Sequence, residues 1–492
     1  MKHNFTLLTT LLLAPLAVLH AAESNTDKPN ILLIVVDQMR STAMGMAGSE
    51  KVYTPNLDLI AQGGSRFVNA IANCPSCAPA RATLFTGLHT LSHRVVNNEL
   101  QVRLDTGSLA RSLTMGGYAC GYIGKWHLAG GSRNAFTPPG LLRLGFDDYW
   151  ASANCTHDYM DSFYYENSDP QPKWIKGYEP IFQTDLALQY MEKKRRESKP
   201  YFLTISFGPP HDPYEEMPKH YLDRYPWSGV ELPRSTSRYV PREILTAKKQ
   251  VLAGYYAHIT ALDEQVGRLL EFLKAHQLSD NTLIVFTSDH GDMLGNHEAW
   301  YKSQPWRESI GIPLLVRWPG HIPAGRVSNA PVSLVDLMPT ILSLAGIPIP
   351  AGTEGENLAA FVKGDESAAP ESVFINFLSH VAVIPNPPFR GVVTATHTYS
   401  EDDHGQPWLL YDDAHDPQQT NNLISWSSSN NPEVVALQKV MHAKLAAWMK
   451  RLGDTGENGD AINARYMPGS IGGQFPPVKD KEFDRLRALR ND

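Results

Sequence analysis

Cysteine is scarce in this chain: only four occur in 492 residues. A small protein built on disulfides needs far more, so that class is excluded. Cys74 and Cys77 have the Cys-x-x-Cys spacing of a redox pair or half of a zinc site. Cys120 and Cys155 are isolated and offer no second pair at ligand spacing. Another interpretation of Cys77 is a buried structural thiol.

Basic residues are not in excess either. The chain has 44 Lys and Arg against 51 Asp and Glu, a formal net charge of −7. This balance argues against a protein that holds nucleic acid mainly through phosphate contacts. An anionic substrate therefore needs a local site. Because 42% of the residues are hydrophobic and only 19% are charged, the chain can bury a large core.

Hydrophobic runs long enough to span a bilayer are also lacking. The run from Leu7 to Leu19 is shorter than the ~20 residues of a membrane-spanning helix. Lys2 precedes it, and the small residues Ala21 and Ala22 follow. This pattern predicts a signal peptide over residues 1–22, export to the periplasm or the medium, and no membrane span after cleavage. The alternative is an anchor that is never cut.

The body of the chain alternates apolar runs with helical patterns. Continuous apolar runs are typical of strands buried on both faces of a parallel sheet. They occur at 31–36, 201–207, 282–288 and 313–318, with helical patterns at 57–62, 181–196 and 244–276. The order predicts an α/β fold in which a large, mostly parallel sheet is flanked by helices. We place this catalytic domain at residues 28–370.

The pattern of predicted strands and helices changes near residue 371. Short strand-like segments at 372–377, 391–396 and 408–411 precede a helical pattern at 432–452. We therefore predict a smaller C-terminal α+β subdomain with an antiparallel sheet over residues 371–455. The remainder, 456–492, is rich in glycine, proline and charge, and is predicted to be an irregular tail.

Two carboxylates stand where predicted strands end. Asp37 follows one apolar run and Asp289 follows another, and the next residues are Gln38 and His290. Ligands of open α/β sheets bind outside the carboxyl ends of the strands, so these side chains are expected to share one crevice. Carboxylates, an amide oxygen and an imidazole are ligands of a divalent cation. The alternative is that each Asp only caps the following turn.

The segment Cys77-Ala78-Pro79-Ala80-Arg81 has the pattern of a helix start. Pro79 suits a first helical turn, and Gly87 suits the end of the helix. Cys77 is then expected at a helix N-terminus, where backbone N–H groups favour anions. Arg81 follows one turn later on the same face.

These residues together resemble the formylglycine-dependent sulfatases of the alkaline phosphatase superfamily. Cys77-x-Pro79-x-Arg81 resembles the family's maturation signal. Further ordered motifs agree: Pro29-Asn30-Ile31 up to Asp37, Gly124-Lys125-Trp126-His127-Leu128, Pro210-His211-Asp212-Pro213, Ser288-Asp289-His290-Gly291-Asp292, and Lys302 ahead of Gly311-Ile312-Pro313-Leu314. The resemblance covers roughly residues 28 to 452 and implies an alkaline phosphatase-like fold. An ordered set of this kind is highly specific.

The resemblance implies a cofactor and a modification. Cys77 is expected to be converted to formylglycine (3-oxoalanine) by a formylglycine-generating maturation enzyme. One divalent metal is expected at Asp37, Gln38, residue 77, Asp289 and His290. Calcium is favoured because most of these ligands are oxygens, and the nitrogen of His290 leaves manganese or zinc as alternatives.

The resemblance also implies catalytic roles. The hydrated aldehyde at position 77 attacks sulfur with one hydroxyl, and loss of the proton from the other releases sulfate. Arg81, Lys125 and Lys302 are expected to offset charge on the sulfate. His127 is expected near the aldehyde. His211, with Lys302, is expected near the leaving alcohol, where it can donate a proton.

Two departures from the family pattern stand out: the pair Gln38 and His290, and Ala80, where serine is common and which the maturation pattern tolerates. The first keeps alternatives open. Many members have a second Asp where Gln38 stands, and Asn where His290 stands. As the family is understood, the Gln/His pair also occurs in hydrolases of phosphonate monoesters, phosphate diesters or choline sulfate. The favoured prediction is an exported sulfatase that acts on a sulfated carbohydrate. An inactive relative that only binds sulfated glycans is a third possibility.

The substrate-binding residues are not predicted. The segment from Trp150 to Trp174 has aromatic and polar residues that could bind a sugar: Asn154, His157, Asp158, Tyr159, Tyr164 and Tyr165. The alternative is an ordinary surface insertion.

Overall fold

The structure is a computed structural model that describes residues 28–233, 242–380, 387–425 and 431–468. The predicted signal peptide at residues 1–22 lies outside these ranges. None of the helices within them combines the length and the apolar character that crossing a bilayer requires.

A ten-stranded sheet forms the centre of the described molecule. Its spatial order is Arg326–Ser328, Ser65–Phe67, Leu314–Arg317, Thr282–Ser288, Asn30–Val36, Tyr201–Phe207, Ala119–Lys125, Tyr149–Ala153, Phe163–Glu166 and Lys173–Trp174. The five strands from Thr282–Ser288 to Tyr149–Ala153 run parallel. Leu314–Arg317 pairs antiparallel with Thr282–Ser288, so the sheet is mixed on that side.

Helices cover both faces of this sheet because the central strands are apolar on both sides. Alternate residues of Asn30–Val36 pack into two separate cores, one holding Ile31, Leu33 and Val35 and the other Leu32, Ile34 and Val36. The helices of the first core are Cys77–Thr86, Leu109–Met115 and Leu334–Leu344, and those of the second are Pro55–Gln62, Glu179–Arg196 and Arg242–Ala275. The predicted α/β architecture is confirmed.

Shorter elements complete the first domain. A three-stranded sheet joins Gly311–Ile312, Ala70–Ile71 and Val332–Ser333. The short helices are Thr90–His93, Lys219–Leu222, Arg307–Ile310 and Ala359–Val362. Single 3-10 turns lie at Gly45–Ala47, Leu141–Arg143, Trp227–Gly229, Ser279–Asn281, Asn296–Glu298 and Glu366–Ala368.

The C-terminal part contains a four-stranded antiparallel sheet, Ser372–Phe377, Phe389–Thr394, His397–Asp402 and Pro407–Asp412. The helix Pro432–Leu452 packs on it through Val434, Met441 and Leu445. This confirms the smaller C-terminal α+β unit. The strand His397–Asp402 is an addition that the sequence analysis did not identify.

One helix contradicts the predicted irregular tail. Gly459–Tyr466 is helical because Asn458 caps its N-terminus, with Oδ1 accepting from the backbone N–H of Ala461 at 2.9 Å. Ile462 gives the helix a buried contact with Val96 and Leu378. The prediction is therefore wrong for these residues, and 469–492 lie outside the described ranges.

Candidate active site

The two predicted carboxylates meet at one edge of the sheet. Asn30–Val36 and Thr282–Ser288 are parallel neighbours, with Val36 opposite Ser288. Asp37 and Asp289, the next residues, consequently lie side by side, and both are fully buried. The register of the two strands brings together residues that are 252 positions apart in sequence.

Four side chains form a buried cluster here: Asp37, Cys77, Asp289 and His290. One ligand atom from each lies within 4.8 Å of all the others. The Sγ of Cys77 lies 3.2 Å from Nε2 of His290 and 3.7 Å from Oδ1 of Asp37. The resemblance predicts formylglycine at this position, and an oxygen of its hydrated aldehyde would then take the place of this sulfur.

The donor set of this cluster fits a divalent cation. Nδ1 of His290 lies 2.8 Å from the backbone oxygen of Gly291, so Nδ1 carries the proton and Nε2 is left as a ligand. Two carboxylates without access to water also require positive charge nearby. Burial opposes the charge of Asp37, but Lys125 and Arg81 hold its pKa well below the ordinary value.

The helix Cys77–Thr86 begins at the cluster. Ser76 precedes it in an extended conformation, and Oδ1 of Asn98 accepts from the backbone N–H of Ala78 at 3.0 Å. The helix ends at Gly87, which has a φ of 63°. Burial opposes ionisation of the Cys77 thiol, yet Lys125 and Lys302 bring its pKa below the ordinary value. The predicted position of Cys77 at a helix N-terminus is confirmed.

Arg81 connects the helix to the carboxylates. Its Nε donates to Oδ2 of Asp289 at 2.9 Å, and Nη2 lies 3.4 Å from Oδ2 of Asp37. Nη1 donates to the backbone oxygen of Lys125 at 2.8 Å and to Oγ of Ser206 at 2.6 Å. Four contacts occupy the guanidinium, so Arg81 mainly positions the two carboxylates.

Lys125 ends the strand Ala119–Lys125. Its Nζ lies 2.5 Å from Oδ2 of Asp37, 3.1 Å from Nε2 of His157 and 3.8 Å from Sγ of Cys77. The preceding residue, Gly124, lets this strand lie close to the backbone of Ser206. A Cβ at its φ of 101° would lie 2.0 Å from the backbone oxygen of Ser206. Burial opposes the charge of Lys125, but Asp37 raises its pKa above the ordinary value.

Lys302 and His211 form a second lysine–histidine pair. The Nζ of Lys302 lies 2.6 Å from Nε2 of His211, whose Nδ1 lies 2.9 Å from the backbone oxygen of Asp212. Nδ1 therefore carries the proton and Nε2 accepts from Lys302. Burial and the charge of Lys302 hold the pKa of His211 well below its ordinary value, so the ring is neutral.

His127 is buried with no hydrogen-bond partner for either ring nitrogen among the described residues. Its φ of 60° is left-handed, so the alternation of an extended strand does not continue past Lys125. Burial and Lys125 keep its pKa well below the ordinary value. A buried imidazole without a partner is costly unless something else fills that role.

Gln38 lies beside the cluster with its amide engaged elsewhere. Nε2 donates to Oδ2 of Asp292 at 2.7 Å, and Oε1 accepts from Lys302 at 2.7 Å. Its own backbone N–H donates to Oδ1 of Asp289 at 3.1 Å, and its φ is 71°. The metal-ligand role of Gln38 stays a prediction, and the contacts show a role in orienting Lys302.

Several contributors were missed by sequence reasoning. The sequence marks Asp292 only as part of a motif, and no pattern marks Tyr214, which donates to its Oδ2 at 2.6 Å. Ser206 stands out only as part of a strand. Of the aromatic segment, His157 reaches Lys125, whereas Tyr159 is buried and donates to the backbone oxygen of His211 at 3.0 Å. The position of a residue within this segment does not predict which of its side chains contact the site.

Family comparisons agree with this geometry. A family model described as Sulfatase matches residues 29–347. A second, described as N-sulphoglucosamine sulphohydrolase, C-terminal, matches residues 295–451. The chain belongs to the sulfatase family of the alkaline phosphatase superfamily, and it is a sulfuric ester hydrolase by class.

Individual relatives match over most of their length. An ulvan-active sulfatase of Formosa agariphila is 36% identical over 449 residues, which are 90% of this chain and 85% of that protein. An endo-4-O-sulfatase of Bacteroides thetaiotaomicron is 28% identical over 87% of this chain and 93% of its own. The crystal structure of sulfatase YidJ from Bacteroides fragilis superposes with a TM-score of 0.79 at 28% identity, covering 90% of this chain and 98% of that one.

Proposed function

We propose that the protein is an exported sulfatase that removes a sulfate group from a sulfated carbohydrate, using formylglycine formed at Cys77 and one divalent cation. The observation that carries this proposal is the position of Cys77. Cys77 is the first residue of a helix, and its sulfur faces Asp37 and His290 inside a buried ligand cluster. The ulvan-active relative supports a polysaccharide substrate.

Asp37, Asp289, His290 and residue 77 would hold the cation. When bound, a divalent cation supplies Lewis-acid stabilisation of charge on oxygen. Calcium is the proposed ion, since the two carboxylates are oxygen donors. A formylglycine at position 77 supplies the hydroxyl nucleophile when it is hydrated.

The chain's own groups then bind sulfate and move protons. Lys125 and Lys302 bring two ammonium groups to the site, which bind the anionic oxygens. His127, which the resemblance places near residue 77, is neutral and has an unused acceptor nitrogen, so its proposed role is to take a proton from a hydroxyl there. Nζ of Lys302 donates to Nε2 of His211, and this hydrogen-bonded pair is placed to pass a proton to the leaving alcohol.

A paired turnover assay tests the proposal. The protein is co-produced with a formylglycine-generating enzyme, supplied with calcium, and given one aryl group as sulfate ester, phosphonate monoester and phosphate diester. The mass of the peptide that contains residue 77 reports conversion of the thiol. Dominant sulfate release that is lost in Cys77→Ala, with the fold retained, is the expected result. Release by Cys77→Ala at the rate of the unchanged protein overturns the aldehyde mechanism.

The second candidate is a phosphonate monoester, phosphodiester or choline-sulfate hydrolase. Its support is the pair of Gln38 and His290, which leaves the cluster with one fewer carboxylate than many sulfatases. Dominant cleavage of the phosphonate or diester in the same assay would favour this candidate. Glycan binding without any turnover of sulfated oligosaccharides would instead favour an inactive binder.

Export is proposed from residues 1–22 alone. Its test is N-terminal sequencing of the protein recovered outside the cytoplasm, with cleavage near Ala21 or Ala22 expected. Recovery only from the cytoplasm, with Met1 retained, would contradict it.

A further inference from the structure

A fourth imidazole, from His157, lies between the two lysines of the site. Its Nε2 is 3.1 Å from Nζ of Lys125, and its ring stacks on that of His211 with 4.0 Å between centroids and 27° between planes. His211 in turn bonds Lys302. The site therefore contains two lysine–imidazole pairs that are stacked on each other through their rings.

The contact of His157 with Lys125 fixes one of the N–H donors of that ammonium. Of the three donors of a lysine, one goes to Asp37 at 2.5 Å and one to Nε2 of His157 at 3.1 Å, and the third faces Sγ of Cys77 at 3.8 Å, on the side where the proposed function has sulfate bind. Burial and the charge of Lys125 keep the pKa of His157 well below its ordinary value, so the ring is neutral and Nε2 can accept. The neutral imidazole thus orients the ammonium of Lys125 and leaves its positive charge available to an anion.

The contact of His157 with His211 is of another kind. Two bonds in the ring plane hold His211, one to the backbone of Asp212 and one to Lys302. Neither bond covers the face of the ring. The stacked His157 ring packs against that face and limits its movement, and a small misplacement of a proton donor costs about 10²-fold in rate.

We propose that His157 is a positioning residue of the active site, which holds Lys125 for the sulfate through Nε2 and holds His211 for the leaving alcohol through its ring face. This inference rests on the proposed function, because it assigns sulfate to Lys125 and the alcohol to the Lys302–His211 pair.

Two variants separate the contacts. His157→Phe keeps a ring to stack on His211 but has no acceptor for Lys125. His157→Gln keeps a polar acceptor but has no ring. Both are compared with the unchanged protein on aryl sulfates of increasing leaving-group pKa, and inorganic sulfate binding is measured by calorimetry. His404→Ala, at an exposed imidazole in the turn between the strands His397–Asp402 and Pro407–Asp412, is the matched control.

The two variants are expected to differ. His157→Phe should weaken the binding of inorganic sulfate and raise KM by about tenfold. Its kcat should depend on the leaving-group pKa as that of the unchanged protein does. His157→Gln should leave sulfate binding near normal, while its loss of kcat grows to about 10²-fold for the poorest leaving group. An equal loss on every ester in both variants, with sulfate binding unchanged, overturns the proposal, as does full activity in both.

Failure of the proposed function has a different outcome. The unchanged protein then shows no Cys77-dependent release of sulfate from any ester. The calorimetric comparison of His157→Phe with the unchanged protein still tests the Lys125 contact in that case, because it needs no turnover.

Discussion

The Nε of Arg81 lies 2.9 Å from Oδ2 of Asp289, and neither side chain is exposed to solvent. The same guanidinium reaches Asp37, so one cation serves both carboxylates of the cluster. Burial opposes the charge of Arg81, but Asp289 and Asp37 raise its pKa above the ordinary value. The helix that carries Cys77 is in this way locked to the ligands that face it.

Replacement of Arg81 by Gln should destabilise the protein most when no metal is bound. Removing one partner from a buried ion pair costs about 3–5 kcal/mol, because the carboxylates lose their counter-charge. A divalent cation supplies part of that charge, so calcium should recover part of the loss. The measurement is the free energy of unfolding in chelator and in excess calcium.

Arg195→Gln is the control, because Arg195 is an exposed helical residue that pairs with Glu192 and carries no buried charge. It should change stability by less than about 1 kcal/mol. Equal stability of Arg81→Gln and the unchanged protein in chelator would contradict the positioning role of Arg81.

His290→Asn should shift metal preference towards calcium. Nε2 of His290 is the nitrogen donor of the cluster, and an amide oxygen is a ligand that calcium prefers over zinc or manganese. We expect the ratio of zinc to calcium affinity to fall by about tenfold, or about 1.4 kcal/mol. Calorimetric titration of metal-free protein with each ion measures this ratio, and His404→Asn should leave it unchanged.

A site residue could be predicted when a local sequence pattern fixes its position, and could not when its position depends on contacts far away in sequence. Asp37 and Asp289 could be predicted because each follows an apolar strand, and parallel strands end at one edge. Cys77 and Arg81 belong to a single helical turn. The bond from Gln38 to Asp292 spans 254 positions and depends on loop paths that no local pattern records. His157 likewise reaches the site from a segment whose residues are mostly structural.

The same reason explains the differences in the fold. Leu314–Arg317 is an apolar run like the central strands, and its antiparallel direction follows only from where the preceding chain returns. Gly459–Tyr466 is stabilised by contacts with Val96 and Leu378, which are remote in sequence. Composition alone made that segment look irregular.

Glu179 should make stability depend on pH. Its carboxyl is buried with Ser162 donating to Oε1 at 3.0 Å, and burial raises its pKa from 4.5 to about 8. The folded state therefore holds a proton that the unfolded state has lost. The stability that this proton contributes to the folded state is fully present below the pKa of Glu179 in the unfolded chain. It is lost as pH rises through the folded pKa, by up to about 1.4 kcal/mol per pH unit.

Glu179→Gln removes this titration while keeping the shape of the side chain. The variant should be more stable than the unchanged protein at pH 8.5 and similar to it at pH 5. Thermal unfolding at both pH values measures the difference. Parallel curves for the two proteins across this range would show that Glu179 does not titrate as described.

Gln38→Glu should place two carboxyl groups in one buried contact. The Nε2 of Gln38 lies 2.7 Å from Oδ2 of Asp292, so a glutamate of the same length would bring two oxygens to that distance. One of them must keep a proton in the folded state. Burial already raises the pKa of Asp292, and the added charge should raise the pKa of the pair further.

The sign of the effect follows from the retained proton. Because the folded protein binds one more proton than the unfolded chain, the variant should lose stability as pH rises from 5 to 8, by about 1–3 kcal/mol in total. Adding Asp292→Asn to Gln38→Glu restores a donor between the two groups and should recover most of the loss. Chemical unfolding of the single and double variants at both pH values measures this coupling. If the double variant is no more stable than Gln38→Glu, the contact between residues 38 and 292 does not determine the position of the side chain at 38, and Gln38 could then turn towards the proposed metal site.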